Sequence, residues 1–154
     1  AWNIAGLKCA LLVTGSDDVR TTVRARLKAN PTETRWRVGH LGSLANDAAF
    51  RNGGTWLDEL RVYLDGNRRH LTRLLQEHVP QAHYTEPEAS YLAWIDCSDL
   101  SLGPDPAAHF LSRGRVALEA GYKFGKQGEQ HVRINMGTSR AILTEIVNRM
   151  AAAL

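Results

Sequence analysis

A chain of 154 residues, 44% hydrophobic and 23% charged, is long enough to bury a core and has the balance of an ordinary globular protein. No apolar run approaches the roughly 18 residues that a membrane-spanning helix needs. The formal charge of +3 comes largely from Arg20, Arg24, Arg26 and Lys28 and from Arg61, Arg68, Arg69 and Arg73; both groups stand among acids at helical spacing, as solvated helix faces do, so neither nucleic acid nor membrane is expected as a partner.

Lys8–Thr14 is a short apolar run closed by Gly15 and reads as a buried strand. Ser16, followed by Asp17 and Asp18, supplies an N-cap and an acidic first turn for a helix to about Ala29, stopped by Asn30-Pro31. Small residues at helical spacing predict a second helix over Val38–Arg51, broken by Gly53-Gly54. A long helix then runs from a Thr55 cap to about Val79, and Gly66 inside it costs about 1 kcal/mol relative to Ala and marks a bend.

After Pro80 the elements shorten. Tyr91–Cys97 reads as a strand, with Tyr91 and Trp94 assigned to the core. Asp105-Pro106 opens a short helix through Leu111. Arg115–Leu118 is a second strand, Gly121–Gly128 a flexible loop, and His131–Met136 a further strand. Thr138 caps a terminal helix over Ser139–Ala152. Helices come first, then a small mixed sheet with helices beside it, which is an α/β or α+β assembly in two uneven parts.

The residues alone supply no complete catalytic set: there is no GxSxG, no HExxH and no glycine-rich phosphate loop with a Lys-Ser pair. Cys9 and Cys97 lie in apolar runs without CxxC spacing and read as buried free thiols of a reducing compartment. The 6 histidines include no pair at i, i+4, so no metal site is expected.

Four blocks carry a resemblance: NIAGLKCA, YLAWIDCSDL, DPAAHFL and EQHVRINMGTSRAIL, in that order. Together they resemble the C-terminal part of the fold-type I pyridoxal-phosphate enzymes, the class I/II aminotransferase family, and within it the cystathionine β-lyase-like (MalY/PatB-type) branch. The resemblance implies an α/β fold in which residues 1–53 contribute one strand and helices to a large cofactor-binding domain. Residues 54–79 form a connecting helix and residues 80–154 a C-terminal small domain.

It also implies that the lysine holding the cofactor as a Schiff base stands immediately before Ala1, so that this chain carries no catalytic residue and is inactive and cofactor-free alone. Lys8 falls where the family places a cation on the cofactor phosphate. Arg133 falls on the arginine that grips the substrate α-carboxylate, a task suited to a planar fork of donors. Arg140 reads as a helix-surface arginine, Asn135 and Gly137 as shapers of the turn, and Tyr122–Gln130 as resembling a mobile loop near the substrate. The expected whole is a cytoplasmic, homodimeric C–S β-lyase acting on amino acids with pyridoxal 5′-phosphate. A class I/II aminotransferase and, more remotely, a free-standing basic binding module are the alternatives.

Overall fold

The structure, a computed structural model, describes residues 2–35 and 38–154. Ala1, which the resemblance sets directly after the cofactor lysine, lies outside the described residues. The chain divides into two compact units, Ala1–Leu60 and Arg61–Leu154.

The first unit is helical. Helix α1 (Asp17–Lys28) begins as expected: Ser16 Oγ accepts the Val19 N–H at 3.3 Å, acids fill the first turn and Arg26 and Lys28 the last, matching the helix dipole at both ends. Helices α2 (Thr32–Arg35) and α3 (His40–Asn52) follow. Helix α4 (Gly54–His78) starts directly at Gly54 without a Thr55 cap. Gly53 serves both helices, its N–H closing α3 on the Ala49 carbonyl at 2.8 Å and its carbonyl accepting the Leu57 N–H at 3.0 Å. The Trp2 indole N–H donates to the same carbonyl at 3.0 Å.

Helix α3 rests on the Leu7–Cys9 segment, and Gly42 makes the approach possible, because a Cβ there would run into the Leu7 carbonyl oxygen. Gly42 is the one buried residue among those described in this unit. Leu11, Leu12 and Val13 are 64%, 65% and 89% exposed. The strand expected over Lys8–Thr14 is therefore not formed. So apolar a strand needs neighbours that satisfy its backbone groups and cover its faces, and no described segment pairs with it.

The second unit holds the core. Strands β1 (His83–Tyr84), β2 (Leu92–Asp96), β3 (Glu119–Ala120) and β4 (His131–Asn135) form a four-stranded sheet in the order β1-β2-β4-β3. Every pairing is antiparallel, where a mixed sheet was expected. Ala93, Ile95, Ala120, Val132 and Ile134 give the sheet a buried face. They cluster with Leu71, Leu74 and Leu75 of α4, Phe110 of α5 (Pro106–Gly114), and Leu143, Val147 and Met150 of α6 (Arg140–Ala151). Burial of this many aliphatic side chains is the main favourable term for the unit, at about 1.5–3 kcal/mol for each large one.

Local chemistry sets the boundaries. Asp105 caps α5 by accepting the Ala108 N–H at 3.2 Å, with Pro106 in the first turn. Arg115 ends α5 in the left-handed region (φ 52°) and Val116 N–H returns to the Phe110 carbonyl, so the following strand begins only at Glu119, past the expected Arg115–Leu118. Ser139, rather than Thr138, caps α6 by accepting the Ile142 N–H at 3.3 Å. Thr138 is otherwise engaged, its carbonyl accepting from Asn67 Nδ2 at 2.8 Å and Tyr63 Oη at 3.3 Å. The Gly121–Gly128 loop is two successive 3₁₀ turns, Gly121–Phe124 and Lys126–Gly128, whose end glycines abut so closely that a Cβ on either would enter the other's carbonyl. No helix among the described residues is long and apolar enough to cross a membrane.

Candidate substrate-carboxylate site

Alternation along the strands decides what the second face of the sheet presents. With Ala93, Ile95, Val132 and Ile134 turned to the core, Trp94 and Asp96 of β2 and His131, Arg133 and Asn135 of β4 fall on the opposite face. Trp94 and Glu119 are the cross-strand partners of Arg133 on either side. Arg133 therefore stands in the middle of a row, Trp94–Arg133–Glu119, spanning three strands.

Its guanidinium lies over the Phe124 ring, 4.6 Å from the centroid. Phe124 meets Trp94 edge-on at 5.5 Å, and Trp94 in turn stacks on His131 at 5.5 Å with 25° between planes. This aromatic row gives the cation a π surface and shields it from solvent on one side. The Arg133 side chain is 30% exposed, and the Glu119 carboxylate approaches its Nη2 only to 3.7 Å, beyond hydrogen-bond length. Within the described residues no acceptor takes a hydrogen bond from this guanidinium. The other Glu119 oxygen accepts from Lys123 Nζ at 2.9 Å. That bond, with the charge of Lys123 and then of Arg133, holds the Glu119 carboxyl below its ordinary range, and the same bond raises Lys123.

The turn after β4 is held from two directions. Asn135 Oδ1 accepts the Gly137 N–H at 2.8 Å. Asn67, fully buried in α4, donates from Nδ2 to the carbonyls of Met136 and Thr138, both at 2.8 Å. A cavity of about 340 Å³ opens beside Arg133, with Asn135 and Thr138 on its polar side and Leu118, Ile142 and Ile146 on its apolar side. A guanidinium with unengaged donors can bind a carboxylate bidentately.

Of the residues singled out from sequence, the structure brings Arg133, Asn135 and Gly137 to this cavity and sets Arg140 elsewhere. Arg140 opens α6, its guanidinium 5.6 Å from the Tyr63 ring and against Gly66, where an added Cβ would lie 2.5 Å from Nη2. Helix α4 is unbroken at Gly66. Lys8 belongs to the first unit; it is exposed and has left-handed backbone (φ 56°, ψ 47°). Trp94 and Tyr91, assigned to the core, are 37% and 45% exposed. For Trp94 the signal was present: a residue alternating with Ala93 and Ile95 faces away from them. Glu119, Lys123 and Phe124 carried no periodic signal, because a two-residue strand and a 3₁₀ turn have none.

No family model matches the chain. A Mycobacterium tuberculosis protein provisionally named a cystathionine β-lyase is 43% identical over the whole chain, which spans 41% of that relative. The cystathionine β-lyase PatB of Bacillus subtilis is 34% identical over 99% of the chain and 39% of its own length. Among solved structures, the pyridoxal-phosphate-bound C–S lyase of Staphylococcus hominis superposes with a TM-score of 0.81 at 28% identity, over 98% of this chain and 39% of that one. A protein of Corynebacterium diphtheriae, provisionally named a pyridoxal-phosphate-dependent β-cystathionase, reaches 0.88 at 33% identity, over 99% and 39%.

The chain thus has, over nearly all its length, the fold of the C-terminal part of the class I/II pyridoxal-phosphate-dependent enzymes. Its sequence relatives include cystathionine β-lyases, and it spans about two-fifths of their length.

Proposed function

We propose that this chain supplies the α-carboxylate site, and one contact to the cofactor phosphate, of a pyridoxal-phosphate-dependent C–S β-lyase acting on amino acids. The observation that carries the reading is Arg133: partly buried, stacked on Phe124, and with no hydrogen bond taking its donors among the described residues. An arginine serving only structure at this depth would spend its donors on carbonyls or a close carboxylate, as Arg68 does with Pro87 O at 2.7 Å.

In this reading Arg133 binds and orients the amino acid through its carboxylate, and the aromatic row and the apolar cavity wall keep water from the contact. Lys8 fits the cofactor as a single phosphate contact: an exposed ammonium whose backbone is tied down by the bond from Gly39 N–H to its carbonyl at 3.4 Å. Pyridoxal phosphate, when bound, supplies the electron sink for charge developed at the substrate α-carbon.

Residues 1–53 belong in this reading to a large domain, residues 54–79 to a connecting helix and residues 80–154 to a small domain. The exposed Leu11, Leu12, Val13, Leu41 and Phe50 support burial of the first unit against the rest of a longer chain and a second subunit, making a homodimer. Two free thiols, Cys9 and Cys97, support a cytoplasmic setting.

The test is turnover of L-cystathionine to pyruvate and ammonia by the longer enzyme that carries this chain. Arg133→Gln should depress kcat/KM while Arg140→Gln leaves it within a few-fold. Equal loss at both positions would refute the assignment, and dependence on a keto-acid acceptor would make the enzyme an aminotransferase instead.

A further inference from the structure

We infer that Lys123 is a positioning residue for substrate binding: by holding Glu119, it keeps Arg133 free for an incoming carboxylate. The inference rests on the carboxylate reading of Arg133 given above. Glu119 and Arg133 are directly opposed on adjacent antiparallel strands and share a face. Opposite charges so placed ordinarily close to a hydrogen-bonded pair of about 2.7–2.9 Å. Here the separation is 3.7 Å.

Lys123 restrains Glu119. Its Oε1 is bonded by Lys123 Nζ at 2.9 Å while Oε2 faces the arginine. Lys123 sits in the Gly121–Phe124 turn, and that turn is fixed by the contact of the Gly121 and Gly128 backbones. The next residue is Phe124, which stacks on the Arg133 guanidinium. One short turn thus performs two tasks: it orients the guanidinium from its face, and it draws away the carboxylate that would otherwise fill its fork. Glu119 stays close enough to favour the cation but does not take its donors.

Without Lys123, Glu119 needs to move by less than an ångström to close on Arg133, and a substrate carboxylate must then displace it. The cost falls on binding alone, because an internal competitor affects the free site and not the occupied one. For side chains exposed to this degree the expected loss is about three- to tenfold in affinity.

The test uses the longer enzyme that carries this chain and L-alanine as probe, following the Arg133 Nε–Hε signal by ¹H–¹⁵N NMR. The wild-type signal should shift saturably with L-alanine. Lys123→Met should weaken that binding about three- to tenfold and, before any ligand is added, slow rotation about the Arg133 Nε–Cζ bond, the signature of a closed pair. Lys123→Arg should bind as the wild type does.

The double variant Lys123→Met with Glu119→Gln should recover wild-type affinity or better, which loss of the lysine charge alone would not allow. Unchanged binding in Lys123→Met, or a double variant as weak as the single one, overturns the role of Lys123 and leaves the Arg133 reading standing. No saturable shift in the wild type overturns the Arg133 reading, and the inference with it.

Discussion

Asn67→Ala should destabilise the second unit by about 2–4 kcal/mol, a magnitude that follows from three local facts. Two hydrogen bonds from Nδ2 are lost, to Met136 O and Thr138 O, both 2.8 Å long; at about 1 kcal/mol each they account for about 2. The Met136 carbonyl, on a residue only 1% exposed, is then left without this donor, which adds about 1–3. Against this, Asn67 Oδ1 is itself buried without a partner among the described residues, so deleting it returns about 1. Asn67→Asp should be worse than Asn67→Ala, because it puts a carboxylate oxygen against two carbonyl oxygens in a fully buried position. Native-state hydrogen exchange of the Val132 and Ile134 amides reads the stability of this unit directly, without requiring the whole chain to unfold in one step. If Asn67→Asp lies within about 0.5 kcal/mol of wild type, the claim that α4 pins the turn after Arg133 is wrong.

In the longer enzyme, Arg133→Gln should lower kcat/KM for cystathionine by about 30- to 1000-fold, the equivalent of roughly 2–4 kcal/mol for a charge-assisted bidentate contact, and steady-state kinetics would show it. Cys97 is 1% exposed, and burial pushes its thiol up to about 12. A disulfide reagent should therefore modify the half-buried Cys9 in the native chain and reach Cys97 only in denaturant; rapid native labelling of both would contradict the core packing. His83, hydrogen-bonded to Asp99 at 2.7 Å, titrates above its ordinary 6.5. Since the folded value is the raised one, whatever stability the pair adds is fully present below 6.5 and fades as pH climbs through the folded value. An NMR titration in which Asp99→Asn fails to bring His83 back toward 6.5 would disprove that cause. Gly66→Ala should raise stability by up to about 1 kcal/mol by thermal melt, since helix propensity favours it and only the exposed tip of Arg140 must move. A lower melting temperature would show Arg140 to be more tightly held than its exposure suggests.

Much of the helix and strand layout was legible in the sequence because its cues are local. Asp105-Pro106 caps and opens α5, Ser16-Asp17-Asp18 opens α1, and the alternation around Ile95 and Val132 marks two strands. The misreadings arose where a local cue was overruled by a partner distant in sequence. Thr138 looks like the cap of α6, but its carbonyl is held by Asn67 and Tyr63 from a helix some 70 positions earlier, and Ser139 takes the role. Lys8–Thr14 looks like a strand, and strand formation is a property of neighbours as much as of the segment. Arg133 was found only through the family resemblance; its spacing alone says nothing about carboxylates.

Arg133 and Arg140 are of one residue type and seven positions apart, and the structure separates them by how each is held. Both lie near an aromatic ring, at 4.6 Å from Phe124 and 5.6 Å from Tyr63, so stacking does not distinguish them. Backbone does. Arg133 is on a strand paired on both sides, so its Cα is fixed by two ladders and its side chain by the flanking Trp94 and Glu119. Arg140 is the first residue of a helix, where its backbone N–H belongs to the unsatisfied first turn and its side chain is exposed. A group that must orient a substrate loses rate when it wanders by an ångström, so the useful arginine is the one whose position the fold over-determines. By that criterion the middle strand position of a four-stranded sheet is the better mount for a carboxylate fork. The short Gly121–Phe124 turn beside it, through Lys123 and Phe124, is what leaves the fork open.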